Sequence, residues 1–386
     1  MLDNETRSIK LADLETPCLL VDDTQVVRNV ARLRTHLDEL RIPLRPHLKT
    51  VKSMQVARLM LSTQGGSAAV STLREAEQFA EAGVNDLLYA VGVTPNKLDR
   101  VAAIRRRGVD LIIVVDSVTA AEAVAAKSRE EKVPIPTLVE IDSDGQRAGI
   151  PAHDLPQVVA VARVLHVGGA QLRGIMTHAG ASYDCVGIAA LEAMAEQERS
   201  RAVACAEALR EAGLPAPMVS VGSTPTALFA RNLQGVTEMR AGVFPFFDLV
   251  MAGLDVCKIN EIALSVLATV LGHQMEKGQI LVDAGWMAMS RDRGTARQKV
   301  DQGYGIVCDL SGRPYEDLIM VDAHQEQGLL ALRAGSKANL PQLPLGSMIR
   351  ILPNHACATG AQHELYHVVR PGSQEIVATW PRFRGW

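Results

Sequence analysis

A chain of 386 residues with 47% hydrophobic and 22% charged content can bury a large core and exceeds the usual size of one domain, so two domains are expected. A formal net charge of −3 leaves no surplus of Lys or Arg to neutralise a phosphate backbone or an anionic bilayer, which argues against nucleic acid and membrane partners. The cysteines Cys18, Cys185, Cys205, Cys257, Cys308 and Cys357 are scattered without clustering, unlike a secreted disulfide framework, and are read as reduced.

In chain order, the opening MLDNETRSIKLADLE lacks the basic start and apolar run of a signal peptide. The longest strongly apolar stretch, Ile262 to Gly272, falls short of the roughly 20 residues that span a bilayer, so a cytoplasmic location is expected. Pro17 to Asp22 reads as a strand with no helix-paired partner, suited to joining a sheet formed elsewhere. From residue 43, short β-branched runs alternate eight times with stretches of helical period. The strands fall at 43–46, 67–71, 86–90, 110–115, 135–141, 171–177, 217–221 and 236–240, with helices such as 74–82, 117–128 and 190–212 between them. Eight successive units predict an α/β fold of the (β/α)8 TIM barrel type, although a large doubly wound sheet shares the local pattern. After about residue 260 the helical period fades, and IALSVLATVLGHQ, QILVDAG, YGIVCDL, MIRILPNH, ELYHVVR and EIVATW read as strands. The predicted organisation is a barrel over 25–258 and a second, mainly β C-terminal domain formed by 1–24 plus 259–386.

Working residues of such barrels follow the C-terminal ends of the strands. Here those positions carry Arg45, His47 and Lys49 after the first strand, Asp142, Asp144 and Arg147 after the fifth, and His178 after the sixth. Lys49, enclosed by a barrel mouth, would have the setting that frees a lysine amine for Schiff-base chemistry; it also reads as a solvated lysine opening a helix. Gly222, Ser223 and Thr224, ahead of Pro225, form a strand-to-helix turn of the kind that binds phosphate, or an ordinary capped turn. Arg147 and His178 would face a ligand ring, or Arg147 would pair with Asp142 and Asp144. In the second domain, Pro353-Asn354-His355-Ala356-Cys357 ends a strand, and residues two apart on a strand face the same way. His355 and Cys357 could therefore share one divalent metal (Zn, Mn, Co or Ni), or be a surface histidine beside a buried thiol.

RPHLKT around Lys49, VSTLREAEQF at 70–79, THAGASY at 177–183, VGSTPTA at 221–227, RAGVFPFFD at 240–248, DAGWMAMSRDRGTARQK at 283–299 and PNHACATGAQ at 353–362 carry a resemblance nearly end to end. The chain resembles the alanine-racemase-like pyridoxal 5'-phosphate enzymes, in the group of D-serine dehydratase and D-threonine aldolase, whose fold is a barrel plus a β-domain. The resemblance implies that Lys49 carries the cofactor, that Arg147 partners its ring nitrogen and that His178 lines its pocket. It puts Tyr183, Gly222, Ser223, Thr224 and Gly242 around the phosphate, and His355 and Cys357 on the metal. One departure stands out: relatives carry Glu-His-Gly where this chain has Glu326-Gln327-Gly328.

The implied activity is elimination of water from a small D-β-hydroxy amino acid, D-threo-3-hydroxyaspartate giving oxaloacetate and ammonia, with Lys49 removing the α-proton. Arg291, Arg293 and Arg297 are candidates to meet the β-carboxylate. The alternatives are a D-serine or D-threonine dehydratase, an aldolase acting on D-threonine or 3-hydroxyaspartate, and a non-catalytic carrier of the cofactor. Aldolase relatives carry His-x-Asp at the metal, and carriers lack the β-domain, so both fit this chain less well. A homodimer and a monomer fit equally.

Overall fold

The computed structural model describes residues 9–63 and 65–386. The chain forms two compact units, one of Ala31–Phe244 with Gly385–Trp386, the other of the segment ending at Val30 with Pro245–Arg384. Residues 25–30 and 245–258, read from sequence as barrel, thus belong to the second unit. The reason is local: Asn29 Nδ2 donates to Pro245 O (3.0 Å) and Glu261 O (2.9 Å), and Ala263 N to Phe246 O (2.8 Å).

The first strand, β1 (Cys18–Asp22), is part of the second unit. The first unit contains β2 (Leu44–Pro46), β3 (Ser67–Val70), β4 (Asp86–Gly92), β5 (Asp110–Val115), β6 (Pro136–Asp142), the short β7 (Ile150–Pro151), β8 (Gln171–Met176), β9 (Met218–Val221) and β10 (Glu238–Ala241). All pairings are parallel, in the order β2-β10-β9-β8-β6-β5-β4-β3 with β7 beside β6. A parallel bridge between His47 and Ala69, with Leu48 N donating to Ala69 O (2.8 Å), joins the two ends of this order and closes the barrel. Every expected barrel strand lies within two residues of its observed bounds.

The strand-to-helix turns have a clear sequence cause. Thr72, Ser117, Asp154 and Ser223 each cap a helix by accepting the backbone N–H three residues on, which stops the extended strand and starts the helix. Ala69, Leu88, Ile112, Val114, Leu138 and Met176 pack into one cluster within the barrel. A buried ion pair lies among the strands as well, Arg45 Nε to Glu238 Oε2 at 2.7 Å, with Asp86 on the same guanidinium.

The second unit contains β11 (Leu264–Gln274), β12 (Gln279–Val282), β13 (Gly305–Cys308), β14 (Pro314–Ala323), β15 (Gly328–Leu332), β16 (Met348–Pro353), β17 (Leu365–Val369) and β18 (Ala378–Pro381). The sheet runs β12-β15-β14-β13-β16-β11-β1-β17-β18, and β12 also pairs with β11, so six strands close an antiparallel ring. The length of β11 makes this closure possible. Its first half pairs with β1 and β16, and Val270 onward pairs with β12 across a register shift. β1 joins this sheet as expected, antiparallel to β11 and parallel to β17. Neither β14, whose acidic PYEDLIMVDA dilutes the apolar signal, nor β15, a run of only five residues, GLLAL, is among the strands expected from sequence.

Candidate active site

Lys49 follows β2 in the turn that makes the barrel-closing bridge. Its neighbours Leu48 and Thr50 are buried while Lys49 itself is exposed, and its charge acts on both His47 and His178. His47 Nδ1 lies 3.4 Å from Lys49 N, and its Nε2 lies 3.3 Å from Ser71 Oγ. Burial, reinforced by the charges of Lys49 and Arg240, holds the His47 imidazole well below its usual range.

His178 follows β8, with Nδ1 2.9 Å from Gly222 O. A carbonyl only accepts, so Nδ1 carries the proton and Nε2 presents its lone pair. Burial first, then the charge of Lys49 and with it Arg240 and Arg147, against the opposing bond to Gly222, hold this imidazole down to about 3. Two neutral imidazoles therefore lie within the field of three cations. Tyr183, in the turn Gly180–Asp184, has its ring centroid 6.3 Å from that of His178.

Arg147 lies in the loop after β6. Asp142 Oδ1 accepts from Asp144 N (3.1 Å) and Gly145 N (2.8 Å), while Asp144 accepts from Gln146 N (3.1 Å) and Ala181 N (2.8 Å). Both carboxylates are occupied in shaping the loop, and among the described residues Arg147 forms no ion pair with them. A Cβ on Gly180 would fall 2.8 Å from Arg147 Cγ and Nε, so glycine there lets the arginine lie across the neighbouring loop.

The turn after β9 is buried and crowded. Gly222 has φ +127°, and a Cβ on it would meet Arg240 O at 2.3 Å, so only glycine fits. Ser223 Oγ lies 2.9 Å from Ser182 Oγ and accepts from Thr226 N (3.2 Å), and Thr224 Oγ1 accepts from Val243 N (3.2 Å). A Cβ on Gly242 would come within 3.3 Å of His47 Cβ, which puts this glycine beside the Lys49 turn.

Two residues to which the sequence assigns no role organise the same loops. The fully buried Arg240 donates to Ser220 Oγ (2.5 Å) and Thr177 O (2.5 Å). Glu198, in the helix Ile188–Glu211, accepts from Ala179 N (2.8 Å) and Gly222 N (3.0 Å). Arg240 stood at a barrel strand end and could have been singled out; nothing local marks Glu198.

In the second unit, His355 and Cys357 do not share a strand. β16 ends at Pro353, His355 is the extended residue before the helix Ala356–Gly360, and Cys357 lies in that helix's first turn. They still meet, because the chain bends from strand to helix between them, and a hydrogen bond links the two side chains. Asp248 Oδ2 accepts from Ala356 N (3.0 Å), and Asn354 Nδ2 donates to Gly303 O (2.6 Å), which anchors the bend. His355 Nδ1 lies 2.6 Å from Asp292 Oδ2. Burial alone would lower the His355 imidazole, but its bonds to Asp292 and Cys357 push it up to about 11. A thiol beside an imidazole whose other nitrogen is held by a carboxylate is the donor arrangement of zinc and its neighbours. Among the described residues no group of three or more His, Cys, Asp or Glu is arranged to hold a metal ion.

Of the three arginines considered for substrate, Arg293 pairs with Asp301 (2.7 Å) and Arg291 stacks over Trp286 (4.7 Å). Gln327 accepts through its backbone from His324 N (2.8 Å).

Residues 21–249 match the family of the alanine racemase N-terminal domain, and 263–369 match a putative serine dehydratase domain. D-threo-3-hydroxyaspartate dehydratase of Delftia sp. (strain HT23) is 52% identical, covering 97% of this chain and 99% of that one. D-serine dehydratase of Dictyostelium discoideum is 30% identical, covering 94% and 95%. The solved structure of the Delftia sp. HT23 enzyme matches with a TM-score of 0.94 at 52% identity, covering 98% of this chain and all of that one. No helix among the described residues is long and apolar enough to cross a membrane.

Proposed function

The chain belongs to the family that joins an alanine racemase N-terminal domain to a serine dehydratase domain, and from that premise we propose that it is a carbon–nitrogen lyase converting D-threo-3-hydroxyaspartate to oxaloacetate and ammonia. Pyridoxal 5'-phosphate and a divalent metal are its cofactors. The barrel residues fit an anionic, amine-reactive group: three cations, of which Lys49 is the accessible amine and Arg147 and Arg240 the others, two neutral imidazoles and buried hydroxyls. Lys49 would hold the cofactor, Arg147 its ring nitrogen and His178 its face, with Tyr183, Gly222, Ser223, Thr224 and Gly242 at the phosphate. In that group Gly222 acts by shape, because its N–H and C=O already bond Glu198 and His178. His355 and Cys357, in the β-unit, would hold the metal.

When bound, the cofactor supplies an electron sink for charge at the substrate α-carbon and the metal a Lewis acid for the departing hydroxide. Lys49 Nζ takes the α-proton. Neutral His178, its Nδ1–H fixed on Gly222 O, positions without adding charge. Asp292 holds the His355 ring by Nδ1, which directs Nε2 to the ion. The observation that favours elimination over racemisation is this oriented His355–Cys357 pair, because a racemase has no use for a metal at the β-oxygen. The substrate is a free small molecule, and a cytoplasmic location is part of the same proposal, all six cysteines being thiols.

The test is product identification with the purified protein, pyridoxal phosphate and Zn²⁺ or Mn²⁺, offering D-threo-3-hydroxyaspartate, D-serine and D-threonine in parallel. Oxaloacetate and ammonia, abolished by EDTA, are expected from the first. Glycine and glyoxylate would establish an aldolase instead.

A further inference from the structure

We infer that one turn of the helix Ile188–Glu211, residues Gln197 to Arg201, positions the three loops of the cofactor pocket, with Glu198 as its central residue. The inference rests on the cofactor reading above. Leu191, Ala195, Ala202 and Cys205 form the buried face of this helix, and Glu198 sits in the same face at 1% exposure. A carboxylate in a row of apolar positions is costly to bury unless donors surround it. Its donors come from two separate loops. Ala179 N follows His178 after β8, and Gly222 N precedes Ser223 after β9; both reach the same oxygen, Oε1, and the Thr226 hydroxyl bonds the carboxylate as well. A third loop is held one turn on. Gln197 Nε2 (3.0 Å) and Arg201 Nη1 (2.5 Å) both donate to Ser143 O, at the start of the loop that carries Arg147.

Residues 197 and 201 are neighbours on a helix surface, as are 198 and 201, so a single rigid turn grips all three loops. The geometry sets a spacing. With Ala179 and Gly222 fixed to one oxygen atom, His178 Nδ1 reaches Gly222 O, and Ser182 Oγ reaches Ser223 Oγ. Without that atom two buried N–H groups lose their acceptor, and the loops must move apart or admit water to satisfy them. Glu198 does not itself face the ligand; it acts through Ala179 and Gly222, and is a positioning residue.

The experiment titrates pyridoxal phosphate into the cofactor-free full-length protein and follows visible absorbance and intrinsic fluorescence, with circular dichroism to verify folding. Glu198→Ala should weaken binding by about 10- to 100-fold, the range for losing hydrogen bonds to a charged group. Glu196→Ala, which removes an exposed partner of Arg199 on the same helix, should leave it unchanged. Parent-like affinity in a folded Glu198→Ala protein overturns the inference. If that variant does not fold, Glu198→Asp and Glu198→Gln decide. Gln keeps the length and an acceptor oxygen, whereas Asp is too short to reach both amides. Asp should therefore bind at least about 10-fold more weakly than Gln, and equal or tighter binding by Asp overturns the inference. Failure of the parent protein to bind pyridoxal phosphate would instead sink the cofactor reading itself.

Discussion

Asp292 offers the sharpest test of the metal pair. Its Oδ2 lies 2.6 Å from His355 Nδ1, with side-chain exposures of 33% and 41%, so the bond is short, charge-assisted and partly screened by solvent. Hydrogen bonds to charged groups are worth about 1.5–3 kcal/mol, and this degree of exposure places Asp292 in the lower part of that range. Loss of roughly 1.5–2 kcal/mol corresponds to about 10- to 30-fold in metal affinity. Asp292→Ala should therefore weaken binding by that factor. Asp292→Asn keeps a neutral acceptor and should cost only about 3-fold. The anchor from Asn354 to the backbone carbonyl of residue 292 survives either change, so the loop itself should hold. The assay is titration of metal-free protein with Zn²⁺ against a chromophoric chelator, which reads affinity without any need for turnover. Alanine and parent affinities within a factor of about two would refute the claim that this carboxylate orients the ligand.

Two further outcomes follow from the barrel loops. Gly222→Ala forces a side chain into positive φ with backbone at 2.3 Å, and should cost about 3 kcal/mol or more. For a unit of this size that is roughly 6–12 °C in Tm, and a calorimetric midpoint within about 2 °C of the parent would count against the crowding described. Acid stability should depend on His178. The unfolded ring takes a proton near 6.5, while the folded ring refuses it to about 3, so stability falls as pH drops through that window. Its share of the slope is up to about 1.4 kcal/mol per pH unit, and His178→Gln should remove it. Urea unfolding at several pH values between 4 and 6 would show no change in slope if His178 were protonated in the folded state.

The barrel strands were legible because each is a short β-branched run closed by a capping residue, and the caps at Thr72, Ser117, Asp154 and Ser223 are local chemistry. The motif positions of Lys49, Arg147, His178, Gly222, His355 and Cys357 were legible for the same reason, as residues at the ends of recognisable elements. The geometry of the metal pair was not. A strand periodicity argument put His355 and Cys357 on one face, whereas a strand-to-helix bend brings them together, and the anchors of that bend lie far off in sequence at Asp248 and Gly303.

By itself, then, the amino-acid sequence determined the eight barrel units, the separate β-rich second half and the residue types at the strand ends. All of these depend on periodicity and on contacts a few residues long. The ring closure through the two halves of β11, the occupation of Asp142 and Asp144 by their own loop and the grip of Glu198 on two loops were decided only in three dimensions. Each depends on which backbone donor or strand edge arrives from a distant segment, and hydrophobic pattern carries no record of that partner.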